Sequence, residues 1–125
     1  MAAQALRKTD YFTSEPPRAC PLDLVHLARQ SMGDSELEAE LLALFDRQAA
    51  QIAAKLVQGA DSPTARADLA HKLKGSARAV GAFAVAAAAE NYEHAARVGL
   101  AGPAEAASVS EAVAEVRAVL RDLIG

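Results

Sequence analysis

The sequence contains no tryptophan, only two tyrosines and three phenylalanines, and a single cysteine in 125 residues. At 4% of the chain, aromatic side chains are too few for a stacking platform on single-stranded nucleic acid. Cys20 has no second cysteine to pair with, which excludes an internal disulfide and fits a reducing compartment. Basic charge is also scarce. Thirteen Lys and Arg (13) face 16 Asp and Glu, a net charge of −3, so the chain as a whole carries no electrostatic footprint for DNA. No window approaches the ~20 apolar residues of a membrane span. The opening stretch MAAQALRKTDYFTSEPPRAC lacks the apolar core of a secretory signal. These absences predict a cytoplasmic domain, a monomer, with no nucleic-acid or membrane partner.

What is abundant is alanine, which makes up about half of the 52% hydrophobic fraction. Alanine is the best helix former and a poor strand residue, so the composition predicts an all-α protein of one domain. Residues 1–20 read as an irregular arm, because Pro16 and Pro17 block helix continuation. The domain proper is expected over 21–125. Leu22, Val25, His26 and Leu27 belong to a short first helix that Gly33 ends. A second helix starts at Asp34 or Ser35, where Ser35 and Glu38 have capping-box spacing but Asp34 is an alternative cap. Its apolar stripe is Leu37, Leu41, Leu44, Phe45, Ile52 and Leu56, and it ends near Gly59.

Ser62-Pro63 opens a third helix, with Leu69, Leu73, Ala77 and Val80 as its buried stripe and Gly81 at its end. A fourth, from about Ala82 to Val98, is so rich in alanine that periodicity gives it little direction. The last runs from about Pro103 to Ile124, with Val109, Val113, Val116, Leu120 and Leu123 on one face. Short connections make neighbouring helices antiparallel. The expected fold is therefore an antiparallel up-down four-helix bundle with a short extra N-terminal helix.

Three histidines are candidates for chemistry. His26 lies in an apolar stretch and reads as a packing or surface residue. Glu90 and His94 share a helix face at i, i+4, but two ligands do not make a metal site. His71 has more around it. At ~100° per residue, Leu69, Leu73 and Val80 point away from it, so the imidazole faces solvent. Its own face carries Ala67, Asp68, Lys74, Gly75 and Arg78. Glycine in a helix interior costs about 0.5–1 kcal/mol relative to alanine, and open space around an imidazole is a reason to accept that cost. Between residues 66 and 80, Arg66, Lys72, Lys74 and Arg78 stand against Asp68 alone. An exposed imidazole with cations beside it is a nucleophile suited to phosphorus, while the alternative is a solvated basic helix face with an incidental histidine.

His71-Lys72-Leu73-Lys74-Gly75-Ser76-Ala77, followed by Val80-Gly81-Ala82, resembles the signature of the histidine-containing phosphotransfer (HPt) domain family. Leu22-Asp23-Leu24, Gly33-Asp34 and Glu40-Leu41-Leu42-Ala43-Leu44-Phe45 resemble its first two helices, so the likeness spans residues 20 to 124. The resemblance implies a phosphorelay intermediate of two-component signal transduction. It would accept a phosphoryl group on His71 from a receiver-domain aspartate, including one in a hybrid histidine kinase, and pass it to another receiver. By the same resemblance, Lys74 contacts the phosphoryl oxygens, and Gly75 is the small residue that admits the receiver. Glu90 or Glu93 orients the imidazole. The docking surface would draw on Leu27, Ala67, Ala70, Lys74, Gly75, Arg78 and Ala79.

The chain shows no phosphate-binding loop and no carboxylate cluster for Mg²⁺, which argues against an ATP-dependent kinase. No cofactor is expected, and Mg²⁺ would belong to the partner receiver. Two other readings are a non-phosphorylated helical adaptor that binds a receiver or kinase, and a metal-binding bundle using His71, Glu90 and His94.

Overall fold

The computed structural model describes residues 21–124; the predicted irregular arm, with Cys20, lies outside them. Among these residues, five helices follow one another: α1 (Leu24–Ser31), α2 (Ser35–Gln58), α3 (Pro63–Val80), α4 (Phe83–Arg97) and α5 (Pro103–Ile124). There is no strand among the described residues. The principal contacts run around the four long helices, α2 with α3, α3 with α4, α4 with α5, and α5 back to α2. The short α1 packs on α2 and α3.

Local chemistry explains the boundaries. Asp34, not Ser35, is the N-cap of α2, accepting from the Leu37 backbone N–H at 3.1 Å. Glu38 is thereby left to reach the buried Ser31 hydroxyl at 3.2 Å, tying α1 to α2. Ser62 caps α3 through the Ala65 N–H, with Pro63 in its first turn. At the N-terminus of α5 the Glu105 carboxylate accepts from the Gly102 N–H at 2.8 Å. Gly81 ends α3 in the left-handed region, at φ +83°, where glycine alone is unstrained. It also meets α1. The Asp23 N–H donates to the Gly81 carbonyl at 2.9 Å, and a Cβ on Gly81 would stand 2.7 Å from the Asp23 carbonyl oxygen. His26 packs edge-on against Phe83, with ring centroids 5.2 Å apart, as the packing reading anticipated.

The core departs from the predicted stripes where alanine is involved. In α2, Leu42, Phe45, Ala49, Ile52, Ala53 and Leu56 are buried, whereas Leu44 is 54% exposed and Leu37 is also exposed. Consecutive leucines cover more than one helix face, and the face that packs is selected by the alanines that permit close approach. In α3 the buried residues are Ala67, Ala70, Leu73, Ala77 and Val80. The centre of that face lies ~60° closer to His71 than Leu69, Leu73 and Val80 alone suggest. Val25 of α1 and Leu123, in the last turn of α5, are exposed rather than buried.

Candidate functional site

Among the described residues, α3 and α4 form the most extensive helix–helix interface. The buried residues of these two helices include Ala67, Ala70 and Ala77 of α3 and Ala86, Ala89 and Ala96 of α4. Side chains this small let the helices approach closely, so the short arm of a glutamate on α4 can span to α3. That glutamate is Glu93, whose side chain is only 10% exposed. Its two carboxylate oxygens lie 3.1 and 3.2 Å from His71 Nδ1. Lys74 Nζ is 3.2 Å from Oε1, and Arg97 donates to Oε2 through Nε at 3.1 Å and a terminal nitrogen at 2.9 Å. The same terminal nitrogen of Arg97 also donates to Asp68 at 3.2 Å.

Burial would push the Glu93 carboxyl upward, but hydrogen bonds from Arg97, Lys74 and His71 outweigh it and bring its pKa down to about 2. Glu93 is thus a carboxylate at neutral pH and can only accept. It follows that His71 Nδ1 carries the proton, and that the neutral ring holds its lone pair on Nε2. The His71 side chain is 64% exposed. The arrangement is an accessible imidazole nitrogen fixed in one tautomer from behind. Arg97 is shifted upward, by its hydrogen bond to Glu93 first and then by that to Asp68.

The other predicted site residues fall in different places. Lys74 adjoins His71 but is largely buried, at 14% exposed, and is already paired with Glu93. Gly75 is exposed, and a Cβ there would meet nothing within 4 Å. Arg78 is on the surface with its guanidinium 3.6 Å from Glu90. Glu90 therefore does not orient the imidazole; it lies ~60° around α4 from Glu93, outside the packed face. Ala67 and Ala70 have no exposed surface, and Leu27 has almost none, so none of the three offers a docking surface. The two alanines are core residues because the packed face of α3 is centred on alanines, and Leu27 is a buried residue of α1. Ala79 is exposed.

His94 is exposed on α4, and among the described residues no group of three His, Cys, Asp or Glu is placed to hold a metal ion. Arg97 has no place in the sequence reading, which puts Asp68 on the His71 face without a partner, although Glu93 and Arg97 have i, i+4 spacing. Nor does that reading include the 2.6 Å bond from Arg66 to the hydroxyl of buried Tyr92, which fastens the first turns of α3 to α4. Open grooves of about 450 Å³ between α2 and α5, and about 350 Å³ near Gly59 and Pro103, do not include His71. Among the described residues, no helix is long and apolar enough to cross a membrane.

A family model described as the Hpt domain matches residues 35–124, from the first residue of α2 to the last of α5, leaving α1 outside. Comparison with curated proteins and with solved structures returned no match. The match covers His71, Glu93, Lys74, Arg97 and Asp68, and the chain belongs to the Hpt domain family, the helical phosphocarrier modules that work with receiver domains in two-component phosphorelays.

Proposed function

We propose that the protein is a histidine phosphocarrier that takes a phosphoryl group from the aspartyl phosphate of one receiver domain and gives it to another, with His71 Nε2 as the acceptor. The observation that carries this reading is the Glu93 contact to Nδ1, which leaves Nε2 as the exposed lone pair. In the transfer, that lone pair attacks phosphorus in line and a P–N bond forms. The P–O bond to the receiver aspartate breaks, and its electron pair leaves on the carboxylate. The ring, substituted at Nε2 and protonated at Nδ1, is then cationic, and Glu93 balances it. No proton has to move. Return transfer reverses these steps.

Lys74 is the group to stabilise the phosphoryl oxygens, and Gly75 and Arg78 border the approach of the receiver. The charge of residues 66–80 complements the acidic pocket in which a receiver would hold Mg²⁺. The domain is read as residues 21–125, with the four long helices as an antiparallel up-down bundle. That arrangement is supported by their contacts around a ring and their short connections.

Incubation with a ³²P-labelled receiver should transfer acid-labile, base-stable label to this protein, and His71→Gln should abolish it. Label retained in His71→Gln would refute the assignment. Binding without label, unchanged in His71→Ala, would identify a helical adaptor instead.

A further inference from the structure

Lys74 is needed in two places. Its ammonium pairs with Glu93 Oε1 in the unmodified protein, yet it is also the cation best placed, one turn from His71, to meet a phosphoryl group. A buried carboxylate that loses its only cation is left uncompensated at substantial cost. Glu93 has a second cation. Arg97 occupies Oε2 with two donors, Nε and Nη2, and Asp68 also accepts from Nη2. The lysine stem is flexible and its charge compact, whereas the arginine fork is planar and held by two carboxylates, through Nε and Nη2 to Glu93 and through Nη2 to Asp68.

We propose that Arg97 is a positioning residue that frees Lys74: it keeps Glu93 ionised and aligned on His71 Nδ1 while the Lys74 ammonium moves from Glu93 to the incoming phosphoryl group. The identity of that anion rests on the phosphocarrier reading. Lys74 and Arg97 are thus not two equivalent partners of one carboxylate. One is exchangeable and the other fixed. Without Arg97, Lys74 is retained by Glu93 and is lost to the phosphoryl group, so the Arg97 substitution should cancel most of the contribution of Lys74.

Phosphoramidate tests this without any partner protein, since His71 attacks its phosphorus and ammonia leaves with the electron pair of the broken P–N bond. Arg97→Gln should slow labelling of His71 about tenfold, the scale of a charge-assisted hydrogen bond, and Arg97→Lys should recover part of the loss. Lys74→Ala should slow labelling about tenfold in the wild-type background but less than about threefold in Arg97→Gln, the non-additivity expected of residues acting as a unit. Asp68→Asn, a change at an exposed side chain, should slow it by a smaller factor. Nitrogen-15 spectra of the imidazole should show a fixed Nδ1–H tautomer in the wild type and a mixture of tautomers in Arg97→Gln.

Labelling of Arg97→Gln at the wild-type rate would overturn the proposal, as would an equal penalty for Lys74→Ala in both backgrounds. The phosphocarrier reading fails separately, if phosphoramidate labels His71 with this pattern while no phosphorylated receiver does.

Discussion

Gly75 gives a prediction in which stability and transfer move in opposite directions. It lies inside α3 with ordinary helical φ, and a Cβ built on it finds nothing within 4 Å. Neither the backbone nor the packing of this molecule requires a glycine. Gly75→Ala should therefore stabilise the protein by the full helix-propensity difference, about 0.5–1 kcal/mol, with no packing gain or loss to offset it. For a domain of this size the melting temperature should rise by roughly 2–5 °C. Gly75→Glu should recover most of that stability, since glutamate is also a good helix former, but it places a carboxylate where a receiver's acidic pocket would dock. Transfer from a phosphorylated receiver should fall at least about tenfold in Gly75→Glu and less in Gly75→Ala. Labelling by phosphoramidate, which needs no docking surface, should change little in either.

Thermal melts followed by circular dichroism and a receiver-transfer time course on the same samples make the measurement. A Gly75→Ala variant that is no more stable than wild type would mean that the glycine serves the fold. Unchanged receiver transfer in Gly75→Glu would refute the idea that a partner surface comes close at this position.

Glu93 predicts an acid-sensitive contribution to stability. Its folded pKa of about 2 lies below the ordinary 4.5, so the stabilisation is complete above about pH 4.5 and is lost as pH falls towards 2. A shift of this size corresponds to ~3 kcal/mol, reduced to ~1–2 by solvent around the exposed His71 and Arg97 partners. Urea midpoints measured across that window should fall steeply in the wild type and less in Glu93→Gln; parallel curves would show that the carboxylate is not held as described. Gly81→Ala should destabilise by ~1–2 kcal/mol from the left-handed backbone alone, and by more where the new Cβ meets Asp23. Hydrogen exchange should quicken in α1 before the long helices, and uniform quickening would exclude α1 as a separately docked element.

The parts of the fold legible in the sequence are those marked by residues with a single physical meaning. Ser62-Pro63 and Gly81 bound α3 because capping and positive φ admit few residue types, and α5 runs from Pro103 to Ile124 as its valine spacing implied. Alanine has no such directionality. It neither points to the core nor away from it, so Ala67 and Ala70 were read as docking surface although both are fully buried. The same ambiguity hid the register of α4 and left Glu90 and Glu93 as equal candidates. Only packing separates them, turning one towards His71 and the other towards Arg78. The pre-engagement of Lys74 could not be read from spacing, because it depends on a partner 19 positions away on another helix.

Tyr92 and Glu93 are consecutive on α4, yet they grip α3 at two different levels, through Arg66 and through His71 with Lys74. Two fastenings along one interface prevent α3 from rolling against α4, so the azimuth of the imidazole is set before any partner arrives. On the proposed carrier role, transfer would then need no rearrangement of the helices, only the exchange of the Lys74 side chain. The acceptor geometry would be the same for a donor and for a recipient, and microscopic reversibility would leave the direction of net flow to the relative phosphorylation free energies of the two receivers. Such a domain would be a conductor, without a gate.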